Sequence, residues 1–123
     1  MESGISSELR RIARLIGSAR CALSTEKATQ ADIEAVLRGA GLPFEREARL
    51  GPGDIPDFIV GGTIVIEVKL RSTTRKNIGR QLERYAVYHQ VKGLLLVSNI
   101  ATRLPDTING KPLLSASLGA AWV

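Results

Sequence analysis

The strongest constraint on this chain is one apolar run interrupted by charge. Asp57-Phe58-Ile59-Val60 is followed by Gly61-Gly62 and then by Thr63-Ile64-Val65-Ile66-Glu67-Val68-Lys69-Leu70. The β-branched density on both sides of a glycine pair predicts a β-hairpin. The near-continuous apolar character predicts strands covered on both faces. Two carboxylates and a lysine therefore stand where a sheet should be greasy. A carboxylate in such a place is costly unless it is paired or bound to a cation.

The register of the hairpin decides whether these charges meet. A two-residue loop would pair Val60 with Thr63 and put Asp57 and Glu67 on opposite faces. A three-residue loop, Gly61-Gly62-Thr63, pairs Val60 with Ile64 and Asp57 with Glu67. Either glycine supplies the left-handed residue such a loop needs. We expect the second register, with Lys69 on the face of Glu67. Phe58, Val60, Ile64, Ile66 and Val68 should then pack against the opposite layer.

The remaining elements read as a mixed α/β chain. Ile5, Leu9, Ile12 and Ile16 mark a helix over 5–20, whose other face carries Arg10, Arg11 and Arg14. A second helix should span 26–40, with Ile33, Val36, Leu37 and Ala40 inward and Gly41 as its cap. Residues 44–50 suggest a strand and 51–54 a turn. A third helix is expected over 75–90, with Ile78, Gln81, Leu82, Tyr85, Ala86 and Tyr88 inward, then a buried strand over 94–98. Residues 111–123 either add an edge strand or cover the core. A strand–helix–strand order favours a parallel pair with a right-handed crossover. At 123 residues a single domain is expected, divided into a helical extension (1–24), a core (25–100) and a C-terminal extension (101–123).

Charge narrows the function classes. Seventeen Lys and Arg against twelve Asp and Glu give a net +5, which favours a polyanionic partner, nucleic acid before membrane. Lys69, Arg71, Arg75, Lys76, Arg80 and Arg84, opposed only by Glu83, concentrate that charge just after the acids. One cysteine, Cys21, excludes an internal disulfide and a cysteine-clustered zinc site. No apolar run approaches membrane-spanning length and the first residues do not resemble a signal peptide. The expected compartment is the cytoplasm, with no membrane partner.

Two carboxylates with a strand carbonyl can hold a hard divalent cation. Such an ion acidifies a bound water and neutralises a phosphate oxygen. Lys69 can stabilise developing charge, and the basic segment can grip flanking phosphates. The reaction class this chemistry fits is metal-assisted phosphodiester hydrolysis.

Pro56-Asp57, nine residues, then Glu67-Val68-Lys69 resembles the signature of the PD-(D/E)XK nuclease superfamily. Gln81-Leu82-Glu83-Arg84-Tyr85 is similar to the Q-x-x-x-Y motif of its RecB-type branches. The resemblance spans about residues 30–100. It implies a restriction-endonuclease-like αβββαβ core, a mixed central sheet flanked by helices, here with an extra N-terminal helix. It implies Mg2+ or Mn2+ held by Asp57, Glu67 and the Val68 carbonyl, with Lys69 catalytic. Glu34, in Asp32-Ile33-Glu34, matches the glutamate many members carry on the first core helix. Gln81 joins the catalytic set. Glu45 and Glu47 are rival third acids, and Asp54 is read as a turn residue. Arg71, Arg75, Lys76, Arg80, Arg84 and Tyr85 are expected to touch DNA. The implied activity is a Mg2+-dependent deoxyribonuclease, directed by DNA structure, by ends or by a partner. A second copy is a possible partner, with the first helix as its interface. A Holliday-junction resolvase is one subtype, and a catalytically silent DNA- or protein-binding module is the alternative. His89 suits a helix end better than catalysis. Phe58 and Trp122 are read as core anchors and Cys21 as a small buried residue.

Overall fold

The computed structural model describes residues 4–70, 75–100 and 103–119. Among them are three helices and a mixed sheet of six strands. Of the residues singled out above, Arg71 and Trp122 lie outside the described residues, as do the side chains of Arg75 and Lys76.

The first helix, α1 (Gly4–Ser18), buries Leu9, Ile12 and Ile16 completely, the stripe its periodicity predicts. The second, α2 (Glu26–Gly39), is capped at both ends by local chemistry. The Thr25 hydroxyl accepts from the Ala28 N–H at 3.0 Å. At the other end Gly41 takes φ +70. Its N–H bonds the Arg38 carbonyl and the Leu42 N–H bonds the Leu37 carbonyl, a Schellman closure.

Strand β1 (Phe44–Arg46) is shorter than expected because Glu47 turns to φ 50. Its N–H then bonds the Asp57 carbonyl at 2.9 Å. Strands β2 (Phe58–Val60) and β3 (Ile64–Lys69) form the hairpin in the three-residue register, with Val60 opposite Ile64 and Phe58 opposite Ile66. Gly61 and Gly62 both have positive φ, 60 and 75, a conformation a side chain would oppose.

Helix α3 (Arg75–Ala86) carries the chain over to β4 (Gly93–Ser98), which runs parallel to β3. This helix stops four residues before the sequence suggests. The reason is tertiary: Lys111 Nζ and Asn109 Nδ2 both donate to the Ala86 carbonyl, at 2.7 and 3.1 Å, and capture the helix end. The tail forms β5 (Thr107–Ile108) and β6 (Lys111–Ser117) around an Asn109-Gly110 turn with φ 52 and 74, the type I′ pattern. Strand β6 is parallel to β4, and the sheet order is β1-β2-β3-β4-β6-β5.

The sheet has two faces with separate cores. One packs α1 and α2 against Phe58, Val60, Ile64, Ile66 and Val68. The other packs α3 against Ile59, Val65, Leu94 and Leu96. The apolar stripe of α1 is thus built into the first core. Its fit is tight: a Cβ on Gly93 would lie 2.8 Å from Ile5 Cγ2. No helix among the described residues is long and apolar enough to cross a membrane.

Candidate active site

Asp57 precedes β2 by one residue, so the hairpin register brings it opposite Glu67 on the face that bears α3. The two carboxylates are tied to each other's backbone. The Asp57 N–H donates to Glu67 Oε1 at 3.2 Å, and the Val68 N–H donates to Asp57 Oδ2 at 2.7 Å. Lys69 Nζ lies 3.3 Å from Glu67 Oε2, and the Glu67 side chain is 4% exposed. The Val68 side chain points away into the other core.

The electrostatics follow from this crowding. Burial first, and the Asp57 charge second, push the Glu67 carboxyl up from its usual 4.5 to about 7, with Lys69 opposing. Burial also raises Asp57. The Val68 N–H, Lys69 and Arg46 pull it down, and Glu26 pushes it further up. Tyr85, almost fully buried, completes the wall. Its hydroxyl accepts from Gln81 Nε2 at 2.9 Å. Its pKa is raised by burial and then by the Glu67 charge. Tyr85 therefore feels both acids, and Gln81, four residues earlier on the same face, reaches the site through the Tyr85 hydroxyl.

Glu34, expected from the resemblance as the helix acid, is engaged by two arginines. Glu34 sits 3.6 Å from Arg38 and 3.7 Å from Arg46 in ion pairs. The helical residue closest in electrostatic effect is Glu26, whose Oε2 accepts from the Leu70 N–H at 3.1 Å and whose charge raises Asp57. Glu26 lies eight residues earlier, about 12 Å along the helix. The physical reason is that the N-terminus of α2, rather than its middle, abuts the end of β3. From sequence, Glu26 reads as an acid in a first turn, where the helix dipole favours it, and nothing local distinguishes it. Arg46 is the other residue the sequence leaves unmarked. Its guanidinium lies 5.5 Å over the Phe58 ring, donates to Gln30 Oε1 at 2.9 Å and lowers Asp57.

Other candidates are placed elsewhere. Glu45 and Glu47 are exposed. Asp54 is a clamp, as its turn position suggests: it accepts from the Tyr88 hydroxyl at 2.7 Å and from Arg84 Nε at 3.0 Å. Those two bonds, led by Tyr88, hold its carboxyl below the usual range. Arg84, expected at DNA, makes this ion pair with a side chain that stays 54% exposed. Arg80 is exposed on α3, and His89 is exposed in the turn beyond it. Cys21 is buried, and burial pushes its thiol up.

Among the described residues no three of His, Cys, Asp and Glu converge as a metal cluster. The donor set is two opposed carboxylates, hard oxygens that suit a hard divalent cation. Their mutual repulsion in a buried place is what such an ion would relieve. Compared with family models, curated proteins and solved structures, the chain has no match in any of the three.

Proposed function

We propose that this chain is a metal-dependent nuclease hydrolysing DNA phosphodiester bonds, on a restriction-endonuclease-like core. The order α2, β1, β2, β3, α3, β4 supports the fold reading. The observation that carries the functional reading is the buried juxtaposition of Asp57, Glu67 and Lys69, with Lys69 Nζ 3.3 Å from Glu67.

Asp57 and Glu67, with the Val68 carbonyl, would hold Mg2+ or Mn2+. When bound, that ion supplies a more acidic water and neutralises phosphate charge. The protein's own residues do the rest. Lys69 stabilises negative charge on the reacting phosphate and opposes the upward push of burial and of Asp57 on the Glu67 carboxyl. Tyr85 and Gln81 form a hydrogen-bonded wall that fixes the Glu67 side of the site. Arg80 presents charge to flanking phosphates, which position a strand without reading its sequence. On this reading targeting comes from DNA structure, from ends, or from a partner or second copy. A junction resolvase is one such arrangement.

The test is cleavage of supercoiled plasmid and linear single strands by wild type and Glu67→Ala, with Mg2+, Mn2+ or chelator. Metal-dependent cutting by wild type, lost in a folded variant, is the expected result. Cutting undiminished in the variant would refute the assignment. Binding without cutting in every metal would favour a silent nuclease-like module.

A further inference from the structure

The acidic centre continues sideways into a cleft that the proposed chemistry leaves unused. The register of the parallel strands sets its floor. Lys69 pairs with Ser98 on β4, and Ser98 pairs with Ser117 on β6. One step back, Glu67 pairs with Leu96, and Leu96 with Ser115. Paired residues share a face, so three hydroxyls run away from Lys69 across two strands, about 4.8 Å apart each. Beside them lies a cleft of about 590 Å3, walled by the segment that follows β4, including Arg103, Leu104 and Asp106. Leu104 packs onto the α3-face core, which places this wall over the face that carries the acids.

The lining selects an occupant. Ser115 and Ser117 are exposed on β6 beyond its short pairing with β5, so here the strand has β4 on one side and an open edge on the other. Arg103 and Asp106 bring one charge of each sign, which suits a neutral polar ring better than a second phosphate. The apolar share of the wall offers a surface for stacking or edge contact, and the hydroxyls offer donors and acceptors. The volume falls in the range of small-molecule sites.

We propose that this cleft takes the nucleobase of the nucleotide beside the scissile phosphate. This rests on the nuclease reading and names its substrate class. A base enters a recess at the side of its own phosphate only if it is unstacked and unpaired. The substrate is therefore single-stranded nucleic acid, or a frayed or flipped nucleotide, rather than intact duplex.

The test measures binding and cutting separately with the full chain. Binding of a fluorescein-labelled twelve-residue oligothymidine, and of a blunt duplex, is followed by anisotropy in chelator for wild type, Ser115→Phe, Ser117→Phe and Glu67→Gln. Both phenylalanines fill the cleft from exposed positions, so melting temperatures near wild type are required of at least one. Wild type should bind the single strand at least tenfold tighter than the duplex. The filled variants should lose that preference, while Glu67→Gln keeps it. Equal wild-type affinity for both forms, or a folded filled variant that retains the preference, overturns the inference. Cutting in Mg2+ is read on the same proteins. Single-strand preference without cutting by wild type leaves the cleft standing and sinks the catalytic reading. Cutting of duplex and single strand at equal rates does the reverse.

Discussion

Replacing Glu67 by Gln should stabilise the metal-free protein at alkaline pH while removing its activity. In the unfolded chain this carboxyl ionises at its usual 4.5, and in the fold it holds its proton to about 7. Between those values the native state binds more protons than the unfolded state, so stability falls as pH rises. The sign is opposite to that of a salt-bridged carboxylate. The loss begins near pH 4.5 and is complete above pH 7. At roughly 1.4 kcal/mol per pH unit, the rise sets a ceiling of about 3 kcal/mol. That is a large part of the roughly 5–15 kcal/mol holding a small domain. The amide of Glu67→Gln can still accept from the Asp57 N–H, is not repelled by Asp57, and gives up the ion pair with Lys69. A gain of about 2 kcal/mol at pH 8 is expected, and little at pH 5, where wild-type Glu67 is already mostly neutral in the fold. For a chain of this length that is about 8 °C in Tm. The assay is urea and thermal denaturation in chelator at pH 5, 6, 7 and 8. Wild type should weaken across this range, and the variant should weaken less. Adding Mg2+ at pH 8 should stabilise wild type and leave the variant unchanged. Equal wild-type stability at pH 5 and pH 8, or a variant weaker than wild type at pH 8, would refute the reasoning.

Other consequences are open to direct measurement. Lys69→Met should lower plasmid cleavage by about 10²–10³-fold, the scale of one lost charge-stabilising donor, with circular dichroism unchanged. Glu26→Gln should reduce cleavage more than Glu34→Gln does, because Glu26 meets the end of β3 and Glu34 meets Arg38 and Arg46; the reverse ranking would restore the motif-based assignment. Gly93→Ala should cost about 1–3 kcal/mol by overpacking, since its Cβ would press on Ile5 and Leu9, and a urea midpoint equal to wild type would show that α1 is free to shift.

What could be read from sequence depends on the range of the interaction. The hairpin register was legible because a local rule sufficed: two glycines before a β-branched run, and acids that make sense only on one face. The α1 stripe and the Gly41 cap are local in the same way. The Asn109-Gly110 signal was also present but lay outside any alternating run, since Lys111-Pro112-Leu113-Leu114-Ser115 mixes both faces. Strand β6 exists because β4 offers it a parallel partner, which no periodicity announces. The end of α3 is set by Lys111, twenty-five residues away. Asp54 finds Tyr88 across thirty-four residues. The same limit applies to Glu26, which bonds the Leu70 N–H. A glutamate in mid-helix and one at the first turn are equal in sequence, and only the docking of α2 against Leu70 separates them.

The site itself was legible for the opposite reason: there the local rules are broken. Glu67 sits in a strand whose neighbours are all apolar, and the fold meets it with one lysine where two carboxylates converge. A buried pair of acids remains costly even with Lys69 and Arg46 acting on it. Selection for stability alone would place apolar residues there, as it does at Val65 two residues earlier on the same face. The surrounding sheet can carry the cost because both of its faces are packed, by α1 and α2 on one side and α3 on the other. Conflicts between local consistency and global fold concentrate at functional positions. In this chain the conflict has a definite form, two carboxyls in a dry place whose proton affinity burial raises. On the proposed reading a divalent cation would relieve it and would also bring a water and a phosphate oxygen to the site, which a second lysine would not.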